Sequence, residues 1–259
     1  MTHRWFEGAT RPRVLAHRGL LTAEAVAHGV AENSFAAVAA AHAAGAQYIE
    51  SDCHLTADGT VVLFHDDDLS RVTGDPRRVA DVTATELEGL MAARGGLITL
   101  SQALDAFPTV RFNLDVKAKD AASEVGRIVA PHAQRVLLTS FSDERRRAAL
   151  AAAENAGRGI RPATSAGSTT IARVLAALSV RSSRLVGRAL SGIDALQVPE
   201  RQGRLRIVTP RLIAAAHRHD VEVHVWTVNA PADMRRLVAM GVDGLVTDRA
   251  DLALSIVCE

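Results

Sequence analysis

Residues 33–52 read NSFAAVAAAHAAGAQYIESD, a complete passage from helix to strand. Asn33 or Ser34 offers a side-chain oxygen suited to cap a helix over Phe35–Ala44, and Gly45 follows as the stop residue. The apolar pair Tyr48-Ile49 then leads a strand over Gln47–Asp52 that closes on two acids, Glu50 and Asp52. Strand side chains alternate, so residues two apart project to the same face. Two carboxylates side by side repel unless a proton or a cation intervenes, and all-oxygen ligation suits Mg²⁺ or Ca²⁺.

The same alternation repeats outward in both directions. Short β-branched or apolar runs at Arg13–His17, Gln47–Asp52, Val110–Lys117, Arg135–Ser140, Gly159–Thr164, Ala195–Val198, Glu222–Thr227 and Gly244–Val246 are separated by Ala/Leu/Arg-rich segments with helical spacing. Eight strands are what a closed parallel barrel requires. Further helices are expected over Ala121–Val129, Asp143–Ala153, Ser168–Arg184, Pro210–Arg218, Pro231–Met240 and Ala250–Val257. No Ser/Gly/Pro-rich linker marks a boundary, so residues 1–259 read as a single α/β domain. The beat fails between residues 53 and 107, which read as an insertion after the second strand, on the face where barrel enzymes keep their chemistry.

Composition narrows the function classes. The 259 residues carry 30 Lys+Arg against 29 Asp+Glu, a formal charge of +1, which excludes a polybasic nucleic-acid tail and an acidic disordered chain. With 48% hydrophobic residues the chain can bury a large core. No apolar run approaches the roughly 18 residues of a membrane span, and the start MTHRWFEGATRPR lacks the apolar centre of a secretory signal. The expectation is a soluble, cytoplasmic protein without a stable membrane anchor, its oligomeric state left open. Cys53 and Cys258 have no metal-binding or disulfide spacing and read as free thiols.

Polar residues of unusual type gather at the strand ends. His17-Arg18-Gly19 closes the first strand, Glu50-Ser51-Asp52 the second, His65-Asp66 the run after Asp58-Gly59, and Asp115-Val116-Lys117 the next. In a barrel all four converge on one rim. Asp115 offers a third oxygen ligand and Lys117 a positive charge on the same face. Asp58-Gly59 signals a two-residue hairpin turn, a register that sets His65 opposite Asp52 with Cβ atoms roughly 5 Å apart. His17 and His65 then flank a substrate, one taking and one giving a proton near neutral pH, and Arg18 presents a fork suited to phosphate oxygens. The remaining histidines read as core or surface residues.

The ordered set His17-Arg18-Gly19, Ala31-Glu32-Asn33-Ser34, Glu50-Ser51-Asp52, Thr56-Ala57-Asp58-Gly59, His65-Asp66, Leu114-Asp115-Val116-Lys117, Trp226-Thr227-Val228-Asn229 and Gly241-Val242-Asp243-Gly244 with Thr247-Asp248 resembles the motifs of glycerophosphodiester phosphodiesterases. The resemblance runs from about Val14 to Leu254. It implies a TIM-type (β/α)8 barrel that hydrolyses small-molecule glycerophosphodiesters to glycerol 3-phosphate and an alcohol with a divalent metal. Carried over, His17 and His65 are the acid/base pair, Arg18 a phosphate ligand, and Glu50, Asp52 and Asp115 the metal ligands. Lys117 adds charge near the phosphate, Trp226 and Phe141 line the pocket beside the glycerol, and Glu32 and Asn33 form the supporting polar pair. The resemblance also suggests the substrate's own glycerol hydroxyl as nucleophile. Two positions depart from the pattern. Ala31-Glu32-Asn33-Ser34 replaces the usual Pro-Glu-Asn-Thr, and Asp115 stands where Glu is common, one methylene shorter.

Two rival readings remain at this point. One is a related barrel phosphodiesterase, phospholipase D-like, acting on lysophospholipids or sphingolipids; the other is a barrel that binds phosphodiesters without catalysis. A serine hydrolase finds no Gly-x-Ser-x-Gly elbow.

Overall fold

The computed structural model describes residues 3–8, 11–157 and 159–257; Cys258 lies outside them. Its strands are β1 (Arg13–His17), β2 (Tyr48–Leu55), β3 (Val61–Leu63), β4 (Arg111–Val116), β5 (Val136–Thr139), β6 (Ala163–Thr164), β7 (Ala195–Pro199), β8 (Arg201–Gln202), β9 (Leu205–Arg206), β10 (Glu222–Trp226) and β11 (Gly244–Thr247). Eight run parallel in the order β6-β5-β4-β2-β1-β11-β10-β7, and helices follow them. The ring closes between β6 and β7 through a parallel bridge from Ser165 to Ala195, with Asp194 N–H donating to the Thr164 carbonyl at 2.9 Å. This is the expected (β/α)8 barrel. The β8–β9 ribbon, a short hairpin over residues 201–206, had no signal in the sequence.

Three expectations need correcting. The helix read as Ser168–Arg184 is two helices, Ser168–Ser179 and Ser183–Leu190. Arg181 between them takes a left-handed φ of 55°, and the Ser182 hydroxyl accepts from Leu185 N–H to start the second. The strand read as Gly159–Thr164 is only Ala163–Thr164. The hairpin after β2 is one residue out of the expected register: Cys53, His54 and Leu55 face Leu63, Val62 and Val61. Thr56 and Thr60 close a loop of three residues, with Thr56 N–H donating to the Thr60 carbonyl, Thr60 N–H donating to the Thr56 hydroxyl and Gly59 at φ 79°. That is the turn-plus-bulge solution, which adds a residue to the loop. Asp52 therefore faces Phe64, whose N–H donates to its carbonyl at 2.9 Å, and His65 lies one step further on.

The pleat sorts side chains between the barrel axis and the helices. Leu15, Tyr48, Leu137, Ala163, Ala195 and Val246 form an axial cluster with Trp5 and Phe6 from the N-terminal turn Arg4–Phe6, which plugs the lower mouth. Residues on the opposite parity, such as Ile49, Cys53, Leu114 and Leu138, join the larger core beneath the helices. Cys53 is thus a packed thiol, its pKa raised by burial. Among the described residues no helix is long and apolar enough to cross a membrane.

A charged pair is sealed at the bottom of the axis. Arg13, 1% exposed, reaches Glu222 with Nε at 2.7 Å and Nη2 at 2.8 Å, and donates to the Tyr48 hydroxyl and the Phe6 carbonyl. The buried His224 lies 3.0 Å from the same carboxylate. Burial alone would raise the Glu222 pKa, but the Arg13 and His224 hydrogen bonds reverse the sign and hold it at about 2, below its ordinary 4.5. A depressed carboxyl stabilises the fold above its unfolded pKa and loses that contribution as pH falls through the folded one. Thermal melts should therefore lose a component between pH 4.5 and about 2 that Glu222→Gln lacks. At neutral pH the variant should be about 3–5 kcal/mol less stable, because it leaves Arg13 buried and unpaired.

Candidate active site

The upper ends of the same strands carry the polar residues. Pairing of β1, β2 and β4 sets His17 beside Glu50, Glu50 beside Asn113, and Asp52 beside Asp115. All share the inward parity of Leu15 and Tyr48, so they crown the apolar axial cluster. Together with His65, Arg18 and Lys117 they line one cavity of about 660 Å³ that opens at the barrel mouth.

A tight corner holds Arg18 in place. Its N–H donates to the Glu50 carbonyl at 2.8 Å and its own carbonyl accepts from Asn33 N–H at 2.9 Å. Arg18 and Asn33 both sit at left-handed φ values, 57° and 56°. Gly19 follows at φ 92°, where an added Cβ would come within 2.6 Å of the Ala37 backbone. Glycine at position 19 is thus required by packing. The Arg18 Nη1 binds Glu32 at 2.7 Å, and its Nε lies 3.3 Å from Asp52.

The three acids are buried together. Asp52 receives the Asn33 amide at 3.1 Å, while the Ser51 hydroxyl donates to the Asn33 oxygen at 2.7 Å and fixes that amide. The Lys117 ammonium bridges Asp52 and Asp115 at 3.0 and 2.8 Å. Glu50 is less well served. Burial first, and the charge of Asp52 second, push its pKa up to about 8 against the pull of His17 and Arg18. Asp115 is also raised by burial, which Lys117 offsets only in part. Glu50 Oε2, Asp115 Oδ1 and Asn113 Oδ1 are buried oxygens without a hydrogen-bond partner. Among the described residues no three His, Cys, Asp or Glu side chains already close around a common point. The unpartnered oxygens are nonetheless the donor type a hard divalent cation takes.

Each imidazole has its own carboxylate. His17 Nδ1 meets Asp248 at 2.6 Å, and its Nε2 lies 3.8 Å from Glu50. Asp248, just after β11, is held by the Asn229 amide at 2.7 Å. His65 Nδ1 meets Asp66 at 2.6 Å. Arg71 bonds Asp66 and Glu32 at 2.6 Å each, linking the His65 side of the cavity to Arg18. The roles of Asp248 and Asn229 were legible only as parts of a motif. Arg71 gave no signal, because it lies in the irregular insertion. Phe141 and Trp226 meet edge to face with ring centroids 5.8 Å apart, and Lys117 Nζ is 5.5 Å from the Phe141 ring.

Burial disfavours the His17 imidazolium, but the Asp248 hydrogen bond and the Glu50 charge outweigh it and raise the pKa above the ordinary histidine value. In an NMR titration, Asp248→Asn should move the His17 pKa downward; an unchanged or higher value would refute the assignment of Asp248 as its partner.

A family model for the glycerophosphoryl diester phosphodiesterase family matches residues 17–252. The chain is 34% identical over 242 residues to a probable glycerophosphodiester phosphodiesterase 2 of Mycobacterium tuberculosis, covering 92% of this chain and 88% of that protein. In fold it is similar to a putative glycerophosphoryl diester phosphodiesterase from Silicibacter pomeroyi (TM-score 0.73, 23% identity, 99% and 97% of the two chains). It is also similar to an Oleispira antarctica phosphodiesterase solved with its product sn-glycerol-3-phosphate (TM-score 0.71, 20% identity, 96% and 98% covered). Strand order, the cavity at the strand ends and these likenesses converge: the chain belongs to the glycerophosphodiester phosphodiesterase family and is an enzyme.

Proposed function

We propose that this enzyme cleaves glycerophosphodiesters to glycerol 3-phosphate and an alcohol by two-histidine acid/base catalysis with a divalent cation. The supporting observation is the meeting in one cavity of two carboxylate-backed imidazoles, two cationic side chains and three acids. The product bound by the Oleispira antarctica relative is the one this reading expects.

A phosphodiester carries one negative charge, and displacement at phosphorus gathers more on its oxygens. Arg18, clamped by Glu32, and Lys117 meet that charge with fixed donors. Glu50, Asp52 and Asp115 would hold Mg²⁺ or Ca²⁺, which when bound supplies Lewis-acid stabilisation of the phosphoryl oxygens. Asn33 keeps Asp52 oriented. A hydroxyl, from water or from the neighbouring glycerol carbon, attacks as one imidazole accepts its proton. The other protonates the departing alkoxide, and the raised pKa of His17 suits it to that second task. Phe141 and Trp226 present an apolar wall to the glycerol carbons.

Glycerol 3-phosphate should appear when the protein is given glycerophosphocholine or glycerophosphoethanolamine, stop with EDTA, and return when Mg²⁺ or Ca²⁺ is restored. His17→Ala and His65→Ala should each lower kcat by about 10²–10⁴-fold with the fold intact by circular dichroism. Wild-type activity in either variant would remove the proposed acid/base pair.

A further inference from the structure

The insertion after β2 reaches back into the site through one side chain. Phe64, Leu69, Val79 and Met91 belong to a small apolar core within this segment. Leu69, fully buried there, anchors the short helix Ser70–Thr73. At its start the Ser70 N–H donates to Asp68 Oδ1 at 2.9 Å, and Gly74 closes it at a left-handed φ of 81°. Arg71 is thus carried by a packed element, although its side chain is 54% exposed. Its guanidinium spreads over two acids. Nε donates to Asp66 Oδ2 and Nη2 to Glu32 Oε1, both at 2.6 Å. Asp66 Oδ1 meets His65 Nδ1 at 2.6 Å, and Glu32 Oε1 also accepts from Arg18 Nη1 at 2.7 Å. The run His65, Asp66, Arg71, Glu32, Arg18 is unbroken, and it joins the stretch after β3 to the loop after β1.

Ion pairs this close to solvent contribute little to stability, so the chain matters for what it orients. Burial would raise the Asp66 pKa, but the Arg71 hydrogen bond, ahead of that from His65, holds it below the ordinary carboxylate value. An ionised carboxylate can only accept, so His65 Nδ1 carries the proton and Nε2 is left for the reaction. At the other end two guanidiniums share a single oxygen of Glu32. Arg71 thereby draws on a negative charge that would otherwise neutralise Arg18 alone. Arg18 keeps more of its own charge for a phosphate oxygen.

We propose that Arg71 is a positioning residue for both ends of the reaction, orienting His65 through Asp66 and leaving Arg18 charged for phosphate through Glu32. The proposal rests on the phosphodiesterase reading above. Arg71 touches neither the phosphate nor the proton in flight; it acts through the two acids. Loss of its guanidinium should let Asp66 and His65 drift, which slows the proton transfer and lowers kcat. It should also give Glu32 wholly to Arg18, which weakens capture of the phosphate and raises KM.

The test measures glycerol 3-phosphate release from glycerophosphocholine and glycerophosphoethanolamine by Arg71→Met and Arg71→Gln proteins, each checked for fold by circular dichroism. Both substitutions keep an unbranched stem and lose the charge. Each should lower kcat by about tenfold and raise KM by about threefold. The two effects should then separate by background. In Asp66→Asn protein, Arg71→Met should lower kcat by less than about twofold more while still raising KM. In Glu32→Gln protein, it should raise KM by less than about twofold more while still lowering kcat. Unchanged kcat and KM in both Arg71 variants would overturn the proposal. So would a kcat loss undiminished in Asp66→Asn protein, or a KM rise undiminished in Glu32→Gln protein. Wild-type protein inert towards both esters would instead overturn the phosphodiesterase reading itself.

Discussion

The repulsion among Glu50, Asp52 and Asp115 organises the upper half of this molecule. Two neighbouring parallel strands bring the three acids into one buried patch, where water cannot screen them. Three side chains around them supply positive charge or a hydrogen-bond donor. Lys117 lies between two of them, Arg18 approaches Asp52, and Asn33 donates to it. The compensation is incomplete at Glu50, which burial and its neighbour hold near pKa 8 with one oxygen unpartnered. A buried carboxyl left short of donors in this way is one whose ionised form a bound cation would favour. The corner at Arg18 and Asn33, both at left-handed φ, carries the guanidinium that meets Glu32 and Asp52.

The strand period accounts for the separation of stability from chemistry. On β1 the inward positions are Arg13, Leu15 and His17, and these three residues mark three levels of the axis. Arg13 is locked to Glu222 at the bottom, Leu15 packs with Tyr48, Val246 and the N-terminal Trp5, and His17 faces the open cavity. The apolar middle level isolates the lower ion pair from the upper acids. Each end is thus hydrogen-bonded within its own level: Glu222 is held by Arg13 and His224 at the bottom, while Glu50 and Asp115 at the top each keep an oxygen unpartnered.

The barrel was legible in the sequence because helical and strand periods alternate without interruption outside one segment, and because Glu50 with Asp52 obeys the two-residue pleat. Asn33, Ser34 and Gly45 marked a helix that the structure places at Phe35–Ala43, with the Ser34 hydroxyl as its cap. What failed was short-range chain geometry. The Asp58-Gly59 pair is compatible with both a two-residue and a bulged three-residue loop, and the Thr56 and Thr60 hydrogen bonds that choose between them are not visible in a pattern of apolar residues. The same is true of Arg181, whose left-handed turn splits a helix that composition alone reads as continuous. At the site, residues on regular strands were foreseeable, whereas Arg71 joins Asp66 to Glu32 from within an irregular insertion whose path only tertiary packing decides. The buried Arg13 was likewise hidden. It looks like an ordinary basic residue at the start of a strand until Glu222, more than two hundred positions away, is folded against it.

The acids and both histidines are proposed to work on one phosphate at the barrel mouth. A crystal structure of the protein soaked with glycerol 3-phosphate and Mn²⁺, with the ion located by its anomalous signal, would decide this. The ion should lie on Glu50, Asp52 and Asp115 and the phosphate between His17 and His65, with Arg18 donating to its oxygens. A phosphate seated away from both histidines, or an ion bound away from all three acids, would overturn it.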